Sequence, residues 1–446
     1  MRPSSSPSEH AGLFDGVLAA GGVRAEVGDA AWVRALLDAE AALARAAARA
    51  GLASGADAEA VAAACAVLVV DPGELGAEAA ATGNPVVALI TRLRAAVPGD
   101  AAGLVHRGAT SQDIVDTAAM LVAKRALEPL LADLAAAAGL TAALAREHRH
   151  TLVAGRTLLQ QALPTTFGLI AAGWLTGLDT ARRRLAEVRD HRLAAQLGGA
   201  AGTLAAYAPD PGAVDAGTAM LAAYSAELGL AEPELPWHTE RTRIADLAAA
   251  LGTAAGAIAK VARDLVLHAQ TEVGEVTEGG DAGGSSTLPH KHNPIRAISA
   301  CAAAAQAPGL VATLLSAMAH EHQRAAGSWH AEWLPLRALL TRTGSAAFQL
   351  RAALEGLRVD PGRMRANLEL THGALLAERV AAALGPALGD RAPAVVRAAA
   401  ARGDLAGDPE ITAHLEPARL AALLDPATYV GSADALIDRA LRAAAR

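Results

Sequence analysis

A chain of 446 residues with a formal net charge of −7 lacks the basic surface expected of a nucleic-acid-binding protein. Hydrophobic residues make up 52% of it and aromatics only 2%, so the core must be built from Ala, Leu and Val, small side chains that let helices pack closely in long bundles. Two cysteines, Cys65 and Cys301, are too few for a disulfide framework or a cysteine metal site and suit a reducing compartment.

The first ten residues are polar and rich in Pro and Ser, without the apolar segment of a secretory signal, and a cytoplasmic protein is expected. Up to about residue 105, shorter helices are broken by loops such as Asp71-Pro72-Gly73 and Val97-Pro98-Gly99. Strand-like patterning is confined to a short stretch near Ala66–Val70. Long helices are expected over 106–357. One covers Val115–Arg149, with Leu127, Leu130, Leu131 and Leu134 at helical spacing and a kink at Pro129. Ala162–Leu178 is the most membrane-like run, but Pro164, Thr165, Thr166 and Trp174 favour a buried bundle helix. A third helix carries the apolar seam Ile244, Leu247, Leu251, Ile258, Val261 and Leu265. Beyond Asp360-Pro361-Gly362 the helices shorten again, with breaks at Gly385-Pro386 and Asp408-Pro409. The expectation is an all-α chain in three zones, 1–105, 106–357 and 358–446.

Polar residues gather in islands at the ends of the long central helices. In His106-Arg107-Gly108-Ala109-Thr110-Ser111-Gln112-Asp113, Thr110 or Ser111 either caps the next helix or helps form an anion site at its N-terminus. Gly155-Arg156-Thr157-Leu158-Leu159-Gln160-Gln161-Ala162-Leu163-Pro164 reads as a loop into a helix starting near Pro164, or as part of a site. The richest island is Gly283-Gly284-Ser285-Ser286-Thr287-Leu288-Pro289-His290-Lys291-His292-Asn293-Pro294. It combines a mobile backbone, hydroxyls, a cation and an amide. In a fourth, Pro236 to Arg243, Arg241 and Arg243 either meet an acidic substrate or are solvated at a helix start. His320 and His322 are two apart, poor spacing for a helical metal site, and the loop pair His290/His292 could converge but has no cysteine or carboxylate set to complete it. There is no dinucleotide or phosphate-loop motif, so neither metal nor other cofactor is expected.

The serine loop resembles the Gly-Ser-Ser-x-Met-Pro-x-Lys-x-Asn-Pro motif of the fumarase/aspartase superfamily, and the other islands follow in that family's order. Gly108-Ala-Thr-Ser-Gln-Asp113, Leu197-Gly-Gly-Ala-Ala-Gly-Thr203, Pro236-Trp-His-Thr239, Ser328-Trp-His-Ala-Glu-Trp333 and Leu424-Asp-Pro-Ala-Thr-Tyr429 are similar to its 3-carboxy-cis,cis-muconate cycloisomerase branch. The resemblance implies a three-domain subunit with a long central helix bundle. It also implies a homotetramer with active sites shared between three subunits, and a small polycarboxylate substrate. It gives Ser285 the acid/base role, and has Lys291 and Asn293 hold substrate carboxylates and stabilise the intermediate. Thr110, Ser111, Gln112 and Thr157 would supply hydrogen bonds. His106 matches a substrate-contacting histidine of the adenylosuccinate lyases, and Arg156, Gln160, Glu240 and Arg241 complete the expected substrate-facing set.

The family reaction makes a carbanion next to a carboxylate and expels a group from the neighbouring carbon. Many of its lyases carry a histidine after Gly-Arg-Thr and a glutamate five residues after the motif's asparagine; here those places hold Leu158 and Ile298. An amine or hydroxide needs a proton to leave, whereas a carboxylate does not. A lactone ring-opening or its reverse therefore fits, as does elimination of nitrite from a substituted succinate. Glu240, His292 and Arg296 depart from the cycloisomerase pattern, and a negative charge at Glu240 would oppose a tricarboxylate unless paired.

Overall fold

The computed structural model describes residues 12–208, 215–279, 283–284 and 287–445. The fold is all-α, as expected. Its long helices are α1 (Asp29–Arg49), α2 (Ser111–Glu147), α3 (Phe167–His191), α4 (Thr242–His268) and α5 (Ser328–Glu355). Among the described residues the exceptions are two antiparallel strand pairs: β1 (Leu152–Thr157) with β2 (Gln160–Thr166), and β3 (Val276–Glu278) with β4 (Leu357–Val359).

Two compact units are each assembled from three stretches. The first takes Met1–Asp133, Ala181–Gly256 and Ala302–Phe348, the second Leu134–Thr180, Ala257–Cys301 and Gln349–Arg446. Zone 1–105 of the sequence reading thus falls in the first unit and zone 358–446 in the second, while the central zone is divided between them.

In the first unit α1 buries an Ala/Leu face that includes Leu36, Leu37 and Leu43 and packs against the helices Gly55–Val67 and Ala216–Leu228. Ile244, Leu247 and Leu251 on α4 are at most 1% exposed. In the second unit the same seam continues with Ile258, Val261 and Leu265, also buried. Phe167, at the start of α3, meets His148, Trp174 and His268 edge-on at 5.5 to 6.0 Å. Val380, Leu384, Val396, Leu405, Ile411, Leu420 and Leu423 close a separate apolar cluster near the C-terminus.

Two local expectations need correction. Ala66 and Val67 end a helix, and the residues after them form no strand. The run Ala162–Leu178 is not one helix: Ala162–Thr166 belong to β2, and α3 starts at Phe167. Pro164 lies on β2 opposite Ala154, where β1 is its sole partner strand, so its missing N–H removes no other ladder bond. Pro129 lies inside α2, which runs on as one helix.

Candidate active site

The first island folds as the N-terminus of α2. Thr110 takes the cap position, but the reciprocal bond comes from Asp113, whose Oδ2 accepts the Thr110 N–H at 2.9 Å while the Asp113 N–H donates to the Thr110 carbonyl. Asp113 is wholly buried and also accepts from the backbone N–H groups of Gly198 and Gly199 and from His238 Nε2 at 2.6 Å. Four donors thus satisfy one carboxylate. Gly108, at φ 76, brings the chain so close to Tyr207 that a Cβ there would lie 2.7 Å from the ring.

One turn further along α2, Asp116 accepts from Gln112 Nε2, Trp329 Nε1 and both terminal nitrogens of Arg241. Glu332 on α5 takes Arg241 Nε at 3.0 Å and its second terminal nitrogen at 2.5 Å, and the Trp237 carbonyl takes the last N–H. All five guanidinium N–H groups are therefore used inside the unit. Burial lowers the Arg241 pKa, but the charges of Asp116 and Glu332 outweigh it and raise the value on balance. Arg243 is likewise engaged, by the Arg192 carbonyl and Glu234. Glu240 is exposed and accepts the Thr242 N–H at the start of α4. Gln112 gives its amide hydrogens to Asp116 and the His238 carbonyl. His106 stands at φ 59 with its backbone N–H and Nδ1 on Glu40.

In the second unit, the second island is a hairpin. Leu158 and Leu159 form its two-residue turn, with φ of 50° and 65° and exposures of 98% and 69%. Two left-handed residues make a type I′ turn, which normally calls for Asn-Gly. A register shift between Ala154 and Arg156 sets Gly155 against two residues of β2. Arg156 is then held by Glu275, whose oxygens lie 2.9 and 2.6 Å from its terminal nitrogens. Glu275 also accepts from His268 Nδ1 at 2.7 Å and Asn367 Nδ2 at 2.8 Å. Burial pushes the Glu275 carboxyl up, but hydrogen bonds from His268, Arg156 and Asn367 outweigh it and hold the pKa at about 2. A cleft of about 460 Å³ beside Arg156 is lined by Leu159, Lys260, Asp264, His268 and Gln270.

The same unit carries the third island. Asn293 closes it: its backbone N–H and its side-chain amide both donate to the Gly283 carbonyl, at 3.0 and 2.9 Å. Gly283 sits at φ 91, where any Cβ would run into the Asn293 carbonyl. Lys291 is exposed. Glu278 accepts the Arg296 and Ala297 N–H groups and so caps the helix Ile295–Ala304, while Arg296 donates to Gln349. Ser285 and Ser286 lie outside the described residues.

Residues 20–309 match the family model described as Lyase. The chain belongs to the lyase family. Within the fumarase/aspartase superfamily to which that family belongs, a nitrosuccinate lyase from Streptomyces davaonensis is 46% identical, over 99% of this chain and 96% of the relative. A 3-carboxy-cis,cis-muconate cycloisomerase from Bradyrhizobium diazoefficiens is 43% identical, over 96% of this chain and 97% of the relative. The crystal structure of the 3-carboxy-cis,cis-muconate lactonizing enzyme from Pseudomonas putida superposes with a TM-score of 0.89 and 39% identity, covering 97% of this chain and 99% of that one.

For a lyase-family chain the placements divide cleanly. The first unit gathers His106, Thr110, Ser111, Gln112 and Arg241 around the start of α2, and holds Glu240 at the start of α4. The second holds Arg156, Thr157 and Gln160 on the hairpin and Lys291 and Asn293 on the loop. As placed, Arg241 has no N–H left for a substrate. Several organising residues escaped the sequence analysis: Glu40, Asp116, His268 and Glu275, while Asp113, His238 and Glu332 stood in its motifs without a role. Arg324, which donates to the Gly199 carbonyl beside Asp113's turn, escaped it as well. The available signal was Gln112, Asp113 and Asp116 at three- and four-residue spacing on one helix face.

Proposed function

We propose that this enzyme interconverts 3-carboxy-cis,cis-muconate and 4-carboxymuconolactone in protocatechuate breakdown, without a cofactor, as a cytoplasmic homotetramer with active sites shared between three subunits. The observation that carries this reading is the pair Leu158 and Ile298, which occupy the places of the superfamily's proton-transferring dyad. A carboxylate departs as a stable anion near neutral pH and needs no such donor. In the lactonizing direction a substrate carboxylate adds to a double bond, and the electron pair moves onto the carbon next to a second carboxylate. Lys291 and Asn293, with Thr110, Ser111 and Thr157 as donors, stabilise the resulting dianion, whereas both Gln112 N–H groups are spent on Asp116 and the His238 carbonyl. The Ser285 hydroxyl then delivers its proton to that carbon; in reverse the Ser285 alkoxide removes it. The assembly is supported by the long apolar helices. The Ser111–Glu147, Thr242–His268 and Ile295–Ser316 segments are apolar enough to cross a bilayer, yet only 44%, 50% and 33% of their apolar windows is buried within one chain. A second copy covering the remaining apolar faces would explain this.

A second reading, elimination of nitrite from nitrosuccinate, is favoured by the nitrosuccinate lyase relative and by Glu240, whose charge opposes a tricarboxylate more than a dicarboxylate. Purified protein should bleach the absorbance of 3-carboxymuconate. Nitrite release from nitrosuccinate with no such bleaching would transfer the assignment to the second reading, and inertness toward both would sink both. Ser285→Ala should abolish turnover while leaving the assembly mass unchanged; near-normal activity would remove serine from the acid/base role.

A further inference from the structure

Glu40 lies near the middle of α1, 1% exposed, among Leu36, Leu37, Ala39 and Leu43. A carboxylate on such an apolar face is costly unless something compensates it. Both oxygens serve one residue. Oε2 accepts the His106 backbone N–H at 3.0 Å, and Oε1 faces His106 Nδ1 at 2.6 Å. His106 has φ 59, a left-handed conformation that a residue other than glycine keeps only when its surroundings over-determine it. The two bonds to Glu40 provide that constraint. The neighbouring polar groups are occupied elsewhere: Arg107 donates to the Leu52 carbonyl and Tyr207 to the Arg107 carbonyl. A carboxylate against Nδ1 requires the proton on that nitrogen, which leaves Nε2 as the free position of the ring. Nε2 has no hydrogen-bond partner among the described residues, and the imidazole keeps 13% of its exposure.

We infer that Glu40 is a positioning residue: it locks His106 in a strained backbone with Nδ1–H on its own carboxylate, so that Nε2, the ring's remaining hydrogen-bonding position, is presented to the substrate. This rests on the reading that places His106 among the substrate-binding groups. Glutamine at position 40 has one acceptor oxygen for two donors, so the Glu40→Gln ring should lose its fixed orientation. The expected result is a rise in KM of about 10-fold with kcat changed less than about 3-fold, as for a lost contact made equally in ground and transition states. His106→Gly should give the same KM rise. It keeps the backbone N–H for Glu40 and is at ease at positive φ, so it also serves if Glu40→Gln does not fold. The double variant should be no worse than either single one.

Selective ¹⁵N-histidine spectra of the full-length protein supply a readout that does not depend on the substrate. The His106 resonances, identified by their loss in His106→Gly, should report a protonated Nδ1 in the wild type and shift in Glu40→Gln. Unchanged ring resonances in Glu40→Gln, or a lower melting temperature with unchanged KM, would overturn the inference while wild-type turnover upheld the functional reading. If the wild type turned over neither candidate substrate, that reading would fail, and the ring resonances alone would still decide whether Glu40 fixes His106.

Discussion

In the first unit Arg241 is closed off: its side chain is 1% exposed and every N–H meets Asp116, Glu332 or the Trp237 carbonyl. In the second unit Arg156 also meets a buried carboxylate, Glu275, but stays 22% exposed, and its Nε has no partner among the described residues. Both arginines came from polar islands and looked equally fit to bind an acidic substrate. What separates them is how many of their donors the chain itself consumes. A buried arginine between two acids holds structure together. One anchored on a single acid at a hairpin keeps a donor for something else.

Breaking each anchor tests this contrast. Arg241→Ala should have the largest effect, because it strands Asp116 and Glu332 as uncompensated buried charges. A loss of about 3–5 kcal/mol is expected in denaturant unfolding. A folded variant within about 1 kcal/mol of wild type would show that Arg241 is not structural. Glu275→Gln comes next, at a cost on the order of 3 kcal/mol at pH 7. The folded pKa of Glu275 lies below its ordinary 4.5, so its stabilisation is present above that pH and lost as the pH falls toward about 2. Acid titration of the variant should therefore show a flatter loss of stability between about pH 5 and 2 than the wild type. An unchanged acid limb would contradict the role given to the His268–Arg156–Asn367 bonds.

Smaller effects sharpen the comparison at backbone level. Gly108→Ala places a Cβ against Tyr207 at a left-handed position and should cost about 1–3 kcal/mol. A neutral result by thermal melting would mean that Tyr207 yields. Replacing Leu158-Leu159 with Asn-Gly suits the type I′ turn and should stabilise the fold by about 0.5–1 kcal/mol. If activity drops while stability rises, the exposed leucines serve the site and not the hairpin.

The helical fold was legible because period-3.6 apolar spacing survives any tertiary context; the seam from Ile244 to Leu265 is buried along its whole length. The hairpin was not legible, because Leu-Leu carries no turn signal and Gln160–Thr166 shows no clean alternation. Its geometry depends instead on Gly155 at the bulge and on Arg156 meeting Glu275, 119 positions away in the chain.

The site divides in the same manner. The polar islands, their order and the apolar side chains at Leu158 and Ile298 are properties of the sequence alone, since residue identity fixes which protons a side chain can move. Which islands present their groups and which spend them internally was decided only by tertiary structure. Arg241 is consumed by Asp116 and Glu332, Asn293 clasps Gly283, and Glu40 orients His106, all through partners distant in sequence or hidden inside a loop. A hydrogen bond needs its two atoms within about 3 Å, and only the folded chain determines which atoms come that close.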